Sequence, residues 1–332
     1  MRLKFFGLLM ALMLAGETSA ASAEVVKIKL GTLAPEGSPW HDALRDMAEE
    51  WKQISNGGVE VTIFAGGVIG DEPSMVQKMR IGQLQAGGLS GAGLHKIATE
   101  VQALQMPMMF RSDNELACVR EQIRPTLEAV LEQAGFKVLT WSDAGWVYFF
   151  VKSPVVKPED LIGKRLFVWA GDTSTVEAWK DFGAEPVPLP ATEIYQALQS
   201  GLIEAVPTTP IAALSYQWFP LAPHMTDVKW APLVGALVIT NRAWQQIPEV
   251  LRSRLLAAAE KTGERLRAQT PAFEAEAIEV MQQHGLLVEP VPANIVAEWE
   301  RQARAGYGSL VDKLVPAAMV AEVERLRDGC RG

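Results

Sequence analysis

Apolar positions along this chain alternate between two patterns: every second residue in some segments and helical spacing in others. The segments VVKIKLGT (25–32) and VEVTIF (59–64) alternate at period two, which is typical of strands. Between them, apolar residues recur at helical spacing: Trp40, Leu44, Met47, Trp51 and Ile54. Strands that alternate with helices predict mainly parallel sheets, with a ligand at the carboxyl ends of the strands.

The same alternation continues through the middle of the chain and predicts an α/β fold. Predicted helices cover about 74–82, 113–134, 173–182 and the segment from 191 to a cap at Gly201. Predicted strands lie within 84–93 and at 136–141, 145–153 and 185–189, and another follows Gly201. After about residue 242 the pattern is mostly helical, with an interruption expected at Pro271.

The N-terminus has the pattern of a secretory signal peptide. Arg2 and Lys4 precede the apolar run FFGLLMALMLA (5–15), and Ala21 and Ala23 form a small-residue cleavage site. The run is shorter than the roughly 20 residues that span a bilayer. We therefore predict that residues 1–23 are removed on export and that the mature protein is periplasmic.

Composition narrows the class of partner. The net charge of −8 argues against nucleic acid, whose phosphates need a basic surface. The two cysteines, Cys118 and Cys330, are too few for a disulfide scaffold, although an oxidising compartment would allow one bridge. The sequence leaves that bridge open.

Motifs for catalysis, metals and cofactors are missing from the pattern. The histidines are scattered in the chain: His41, His95, His224 and His284. GGLSGAG (87–93) departs from the nucleophile elbow at Ala92 and also fails the order of the dinucleotide fingerprint. We expect no catalytic residue, no metal and no cofactor, and an enzyme is the last of the functional classes considered.

One strand carries bulky side chains that could face either the core or a ligand. In GKRLFVWAGD (163–172), period two puts Arg165, Phe167 and Trp169 on one face, and the turn that follows leads into a helix.

Three segments resemble the periplasmic binding subunit of TRAP (tripartite ATP-independent periplasmic) transporters. They are PEDLIGKRLFVW, FGAEPVPLPATEIYQALQSGLIEAV and FAGGVIGDEPSMVQKMRIGQLQ, and EIYQALQSG (193–201) is the sharpest match. The resemblance extends from about residue 25 to about residue 290. It implies a two-lobe periplasmic binding protein that closes on a solute and passes it to a sodium-driven integral membrane permease.

The resemblance also implies the domain organisation. The chain is expected to cross between the lobes near Asp143–Gly145 and Ala231–Gly235, and long C-terminal helices are expected to brace both lobes. Lobe I would comprise 24–144 plus about 233–272. Lobe II would comprise 145–232 plus about 273–332, and a homodimer stays open.

The positions at which this family holds an anion carry no charge here. The arginine usual on the strand after D-L-x-G is replaced by Phe167, and a second common arginine by Val147. The aromatic residue that often precedes the E-x-Y helix is Ala191. A carboxylate without a cation would lose hydration that nothing offsets, whereas apolar burial is favourable by roughly 25 cal/mol per Å².

Polar positions of the family pattern are also changed. Pro207, Thr208 and Thr209 stand in place of its E-N-P segment, and the two threonines could bind a neutral oxygen or cap the helix that starts near Pro210. Ser90 stands where some members carry an acidic residue.

Together these positions predict a neutral, hydrophobic or amphipathic ligand, such as a lipid, a sterol or an aromatic molecule. The predicted site comprises Phe167, Trp169, Val147, Trp146, Thr208, Thr209, Ala191 and Ser90, with Trp40, Met106 and Met108 as further candidates. Two alternatives stay open: a carboxylate receptor whose cation has moved, with Arg165 as the candidate, and a lipid shuttle that works without a transporter.

Overall fold

The strands of the chain form one mixed sheet. In the computed structural model, which describes residues 25–331, its order is β2-β1-β3-β8-β4-β7-β5-β6, and β9 pairs with β8. The strands are β1 (Val26–Thr32), β2 (Val59–Phe64), β3 (Ala86–Ser90), β4 (Phe136–Val151), β5 (Arg165–Trp169), β6 (Glu185–Leu189), β7 (Ala205–Thr208), β8 (His224–Thr240) and β9 (Leu287–Glu289). The predicted signal peptide lies outside the described residues.

Two parallel blocks make up the ends of the sheet. Strand β1 is parallel to β2 and β3, and β5 is parallel to β6 and β7; we call these blocks the first half and the second half. The long strands β4 and β8 are antiparallel to each other and connect the halves, because β8 pairs with β3 and β4 pairs with β7.

The two strands predicted over 136–153 are in fact the single strand β4. Its register against β8 shifts between Asp143 and Trp146, where Gly145 has φ 102°. Glycine adopts this left-handed conformation without strain, so the strand bulges and continues instead of ending. This bulge lies at the first expected crossing, and Pro232–Val234 of β8 face it.

The helices cover both faces of the sheet. They are α1 (Pro39–Ile54), α2 (Glu72–Arg80), α3 (Gly91–Leu94), α4 (Asp113–Gln133), α5 (Thr173–Phe182), α6 (Ile194–Ser200), α7 (Pro210–Ser215), α8 (Asn241–Gln246), α9 (Glu249–Gln283), α10 (Ala293–Ala305), α11 (Tyr307–Leu310) and α12 (Ala317–Cys330). None of the helices in residues 25–331 is long and apolar enough to cross a membrane.

The expected break at Pro271 is wrong, because α9 runs through it as one helix of 35 residues. Proline removes one backbone donor, and packing on both sides compensates: Leu255 and Met281 near the two ends of α9 are fully buried. Helix α9 also contacts the bulge of β4, because Glu274 accepts a hydrogen bond of 2.6 Å from the Trp146 backbone N–H.

A disulfide joins the C-terminal helix α12 to helix α4. Cys118 of α4 and Cys330 of α12 are bonded, although 212 residues separate them. This decides the question that the sequence left open, and it fits an oxidising compartment.

Candidate ligand-binding cleft

A cavity of about 560 Å³ opens at the carboxyl ends of the parallel strands. Thr32 ends β1, Ser90 ends β3, Trp169 ends β5 and Thr208 ends β7, and all four line the cavity. Its wall therefore comes from both halves of the sheet, which is where the alternating pattern of strands and helices placed a ligand. The volume lies within the range of small-molecule sites, about 300–1,000 Å³.

Most of the residues predicted to form the site lie on this wall. They are Trp40, Ser90, Met106, Val147, Phe167, Trp169, Ala191, Thr208 and Thr209. The ring of Phe167 is only 4% exposed and lies 5.6 Å from that of Trp169, centre to centre. These two aromatic side chains therefore face the cavity from the second half of the sheet.

The structure corrects two of the predicted site residues, because Trp146 and Met108 lie away from the cavity. Trp146 projects from the opposite face of β4 to Val147, and its indole N–H donates to Asp113 at 3.1 Å. Met108 packs against the cluster that contains Phe149 and Trp299, and its backbone N–H donates to the Trp230 carbonyl at 2.6 Å.

The polar residues of the wall are partly engaged with the protein itself. Thr209 caps α7, since its hydroxyl accepts the Ala212 N–H at 3.3 Å. The Ser90 hydroxyl donates to Glu72 at 2.8 Å. Thr208 is thus the member of the threonine pair that has no capping role in α7.

One lysine supplies the fixed positive charge of the wall. Among the described residues that line the cavity, Lys96 is the only lysine or arginine. Its ammonium group donates to the Gly171 carbonyl at 3.2 Å, and this contact joins the segment after α3 to the turn between β5 and α5. The other N–H donors of the ammonium remain available for a ligand.

A histidine beside this lysine carries unused hydrogen-bonding groups. His95 lines the cavity, and neither of its ring nitrogens has a hydrogen-bond partner within residues 25–331. Burial lowers the pKa of His95, and the neighbouring Lys96 lowers it further against the raising effect of Asp172, so the neutral ring is favoured. A neutral imidazole can donate one hydrogen bond to an anion.

Arg165, the cation suggested by the sequence, does not reach the cavity wall. Its guanidinium donates to the Gly201 carbonyl at 3.1 Å and lies 3.2 Å from Glu204. It shares a strand face with Phe167, but it begins β5, whereas the cavity lies at the other end of the strand.

The acidic groups of the wall are satisfied internally. Asp172 accepts the Thr175 N–H at the start of α5, and Asp181 accepts the hydroxyl of Ser309 at 2.9 Å. Glu72 is fully buried, and burial raises its pKa to about 7 against the lowering effect of hydrogen bonds from Ser90 and Gly93.

Sequence reasoning missed Lys96, His95 and Glu72. A signal was present, because His95 and Lys96 follow the glycine-rich turn after β3, at the same sheet edge as Ser90. That Lys96 reaches across to Gly171 could not be foreseen, since 75 residues separate the two.

Residues 30–313 match the model of the DctP family, described as bacterial extracellular solute-binding protein, family 7. The chain belongs to this family. The resemblance to TRAP receptors is thereby confirmed, and so is the two-lobe class of α/β fold with long C-terminal helices. The protein is a periplasmic solute-binding receptor and not an enzyme.

Relatives and solved structures agree with this assignment. A solute-binding protein of Roseobacter denitrificans is 26% identical over 248 residues, which are 73% of this chain and 74% of that protein. The TRAP periplasmic solute-binding protein of Xanthobacter autotrophicus with bound β-D-galacturonate has a TM-score of 0.84 at 20% identity, covering 91% of this chain and 99% of that chain. The sugar acid binding protein of Advenella mimigardefordensis in complex with galactonate has a TM-score of 0.86 at 17% identity, covering 92% and 99%.

The ligands of the two solved structures match one of the predicted ligand classes and not the other. Both solved structures hold sugar acids, so they give no support to the expected neutral, hydrophobic solute. They fit better with the alternative of a carboxylate receptor whose cation has moved.

Proposed function

We propose that this TRAP receptor captures an organic acid, holds its carboxylate beside Lys96 and His95, and delivers it to integral membrane permease subunits. The two halves of the sheet would be the lobes that close on the ligand. The single observation that carries the proposal is Lys96, whose ammonium is the fixed cation of an otherwise largely apolar wall.

The position of Lys96 suits a ligand-dependent closure. It belongs to the segment after α3 in the first half, and its partner Gly171 belongs to the second half. A carboxylate bound to this ammonium would therefore lie at the contact between the two halves. Charge-assisted hydrogen bonds of this kind are about twice as strong as neutral ones.

The carboxylates of the wall leave this interaction possible. Asp172 and Asp181 already accept hydrogen bonds from the protein, and Glu72 holds a proton for much of the time at neutral pH because its pKa is about 7. Their repulsion of a bound anion is correspondingly reduced.

The proposal is tested with pairs of ligands that differ only in charge. Calorimetric titration would compare octanoate with octanol and D-galacturonate with D-galactose. We expect at least one acid to bind more tightly than its neutral partner. Lys96→Met should then weaken binding of that acid by about 1.5–3 kcal/mol, or about 10- to 150-fold, the usual range for a hydrogen bond to a charged group.

Two further variants make the result specific. Lys96→Arg should retain most of the preference for the acid, and Lys180→Met, which removes an exposed charge from α5 away from the cavity, should change nothing. Equal binding of acids and neutral partners, with no effect of Lys96→Met, would refute the carboxylate assignment. That outcome would favour the neutral ligand that Phe167, Val147 and Ala191 suggest.

A further inference from the structure

The cavity extends from the cleft to the C-terminal helices, and we call this part of it the channel. Past Trp169 its wall is made by α5 on one side and by α10 and α11 on the other. The channel is lined chiefly by three tryptophans and by small or aliphatic residues: Trp179, Trp230, Trp299, Ala303, Gly306 and Leu310.

Helix α5 turns its apolar face toward this space. None of its ten residues is fully buried, and Val176, Trp179 and Phe182 are only partly buried where they pack against the cluster around Phe149. Thr175, Ala178, Trp179 and Phe182 also line the cavity. This lining stripe of eight residues is about 12 Å long at 1.5 Å per residue.

The aromatic rings of the channel pack against one another and against Phe149 of β4. The ring of Trp230 lies 5.6 Å from that of Trp179 and 5.8 Å from that of Trp299, centre to centre. Phe149 of β4 contacts both Trp230 and Trp299 at 5.3 Å. Because these side chains support one another at distances typical of aromatic pairs, the channel is preformed and does not require collapse around a ligand.

Polar contacts hold the segment that contains α11 in place beside the cavity. Ser309 donates to Asp181 at 2.9 Å, and Lys313 donates to Glu177 at 3.0 Å, so this segment is joined to α5. The Tyr307 hydroxyl joins the same segment to the Pro107 carbonyl at 2.8 Å. These contacts fix the position of α11 relative to α5 and therefore the width of the space between them.

From this geometry we propose that the channel receives a linear hydrocarbon tail, and that the ligand is a monocarboxylic acid with such a tail. A mainly apolar wall fits a hydrocarbon chain better than a compact polyhydroxylated ring, because two of its polar groups, Ser309 and Asp181, are already paired with each other. The position of the carboxylate rests on the proposed function, whereas the tail site rests on the channel alone.

Chain length supplies the test. Calorimetric titration with butanoate, hexanoate, octanoate and decanoate should show Kd tightening about fourfold per added methylene, the equivalent of about 0.8 kcal/mol each, until the channel is filled. A decanoate brominated at its last carbon should quench tryptophan fluorescence on binding. This quenching should decrease in the variant Trp179→Phe.

Two substitutions from different helices should plug the channel. Ala178→Leu in α5 and Ala303→Leu in α10 should abolish the gain in affinity with chain length. Lys180→Leu adds the same side chain to the exposed side of α5 and serves as the matched control. Thermal unfolding of each variant would show that it is folded.

The outcomes separate the two proposals. A Kd that does not depend on chain length, or a dependence that persists in both plugged variants, would overturn the tail channel even if acids are preferred. Equal binding of decanol and decanoate, with the effects of both plugs intact, would leave the channel standing and refute the carboxylate site at Lys96.

Discussion

The buried carboxyl group of Glu72 should make stability depend on pH in an unusual direction. Glu72 is 2% exposed in the first turn of α2 and accepts hydrogen bonds from the Ser90 N–H at 2.9 Å and the Gly93 N–H at 2.7 Å. Burial raises its pKa from 4.5 to about 7, and the adjacent Asp71 contributes in the same direction. The native protein therefore keeps this proton at pH values at which the unfolded chain has lost it.

Proton linkage gives the direction and the size of the change in the free energy of unfolding with pH. Because the native state binds more protons than the unfolded state between pH 4.5 and 7, the free energy of unfolding falls as pH rises through this window. The stability supplied by protonated Glu72 is complete below pH 4.5 and is lost as pH rises through about 7. A shift of this size corresponds to about 3 kcal/mol, since one pKa unit is worth about 1.4 kcal/mol.

The assay compares the wild type with Glu72→Gln. Urea unfolding, followed by tryptophan fluorescence at pH 4.5, 5.5, 6.5, 7.5 and 8.5, would give the free energy of unfolding for each protein. Glutamine cannot accept from both N–H groups, so we expect a constant loss of stability. In addition, the variant should gain about 3 kcal/mol relative to the wild type between the lowest and highest pH.

An exposed glutamate provides the control for Glu72→Gln. Glu60→Gln changes an exposed carboxyl of β2 and should alter the profile little. Burial also raises the pKa of Glu274 to about 7, so part of the pH dependence should survive in Glu72→Gln. If the difference in unfolding free energy between wild type and Glu72→Gln does not change with pH, the hydrogen bonds from Ser90 and Gly93 offset burial, and the pKa of Glu72 is not raised in the native state.

Two further substitutions test the cleft and the disulfide. Phe167→Arg places a cation at a wall position whose native side chain is only 4% exposed. Calorimetry should show weaker binding of long-chain acids together with new affinity for a sugar acid such as D-galacturonate; loss of all acid binding would argue against this. Replacing Cys118 and Cys330 together with serine releases a link across 212 residues, and urea unfolding should show a loss of about 4–5 kcal/mol; a loss below about 1 kcal/mol would contradict the entropic account.

Local patterns in the sequence were sufficient for most of the fold. The helix over 173–182 was predicted with its observed bounds, and the cap at Gly201, which has φ 77°, was recognised from the glycine alone. Periods of two and 3.6 and helix-ending glycines act over a few residues, so a single stretch of chain contains the whole signal. The same logic predicted a ligand site at the carboxyl ends of the strands, where the cavity lies.

Failures of prediction arose where distant residues override a local signal. Pro271 normally ends a helix, but α9 packs against both the first helix and the central strand β4 and stays intact. Trp146 adjoins a residue of the cavity wall, yet alternation along β4 turns it to the other face, where Asp113 binds its indole N–H. Local sequence patterns do not show that α9 packs against α1 and β4, or that Trp146 binds Asp113.

The character of the ligand site was decided by tertiary structure alone. The positions that usually carry arginine are Phe167 and Val147, and from them the sequence indicated a wall without charge. Folding brings Lys96 to the rim from a different segment and places Trp230 and Trp299 opposite α5. Each contact joins parts of the chain that are remote in sequence. The local pattern places His95 and Lys96 at the same sheet edge as Ser90, but it does not show that the proposed site combines one cation with a mainly apolar wall.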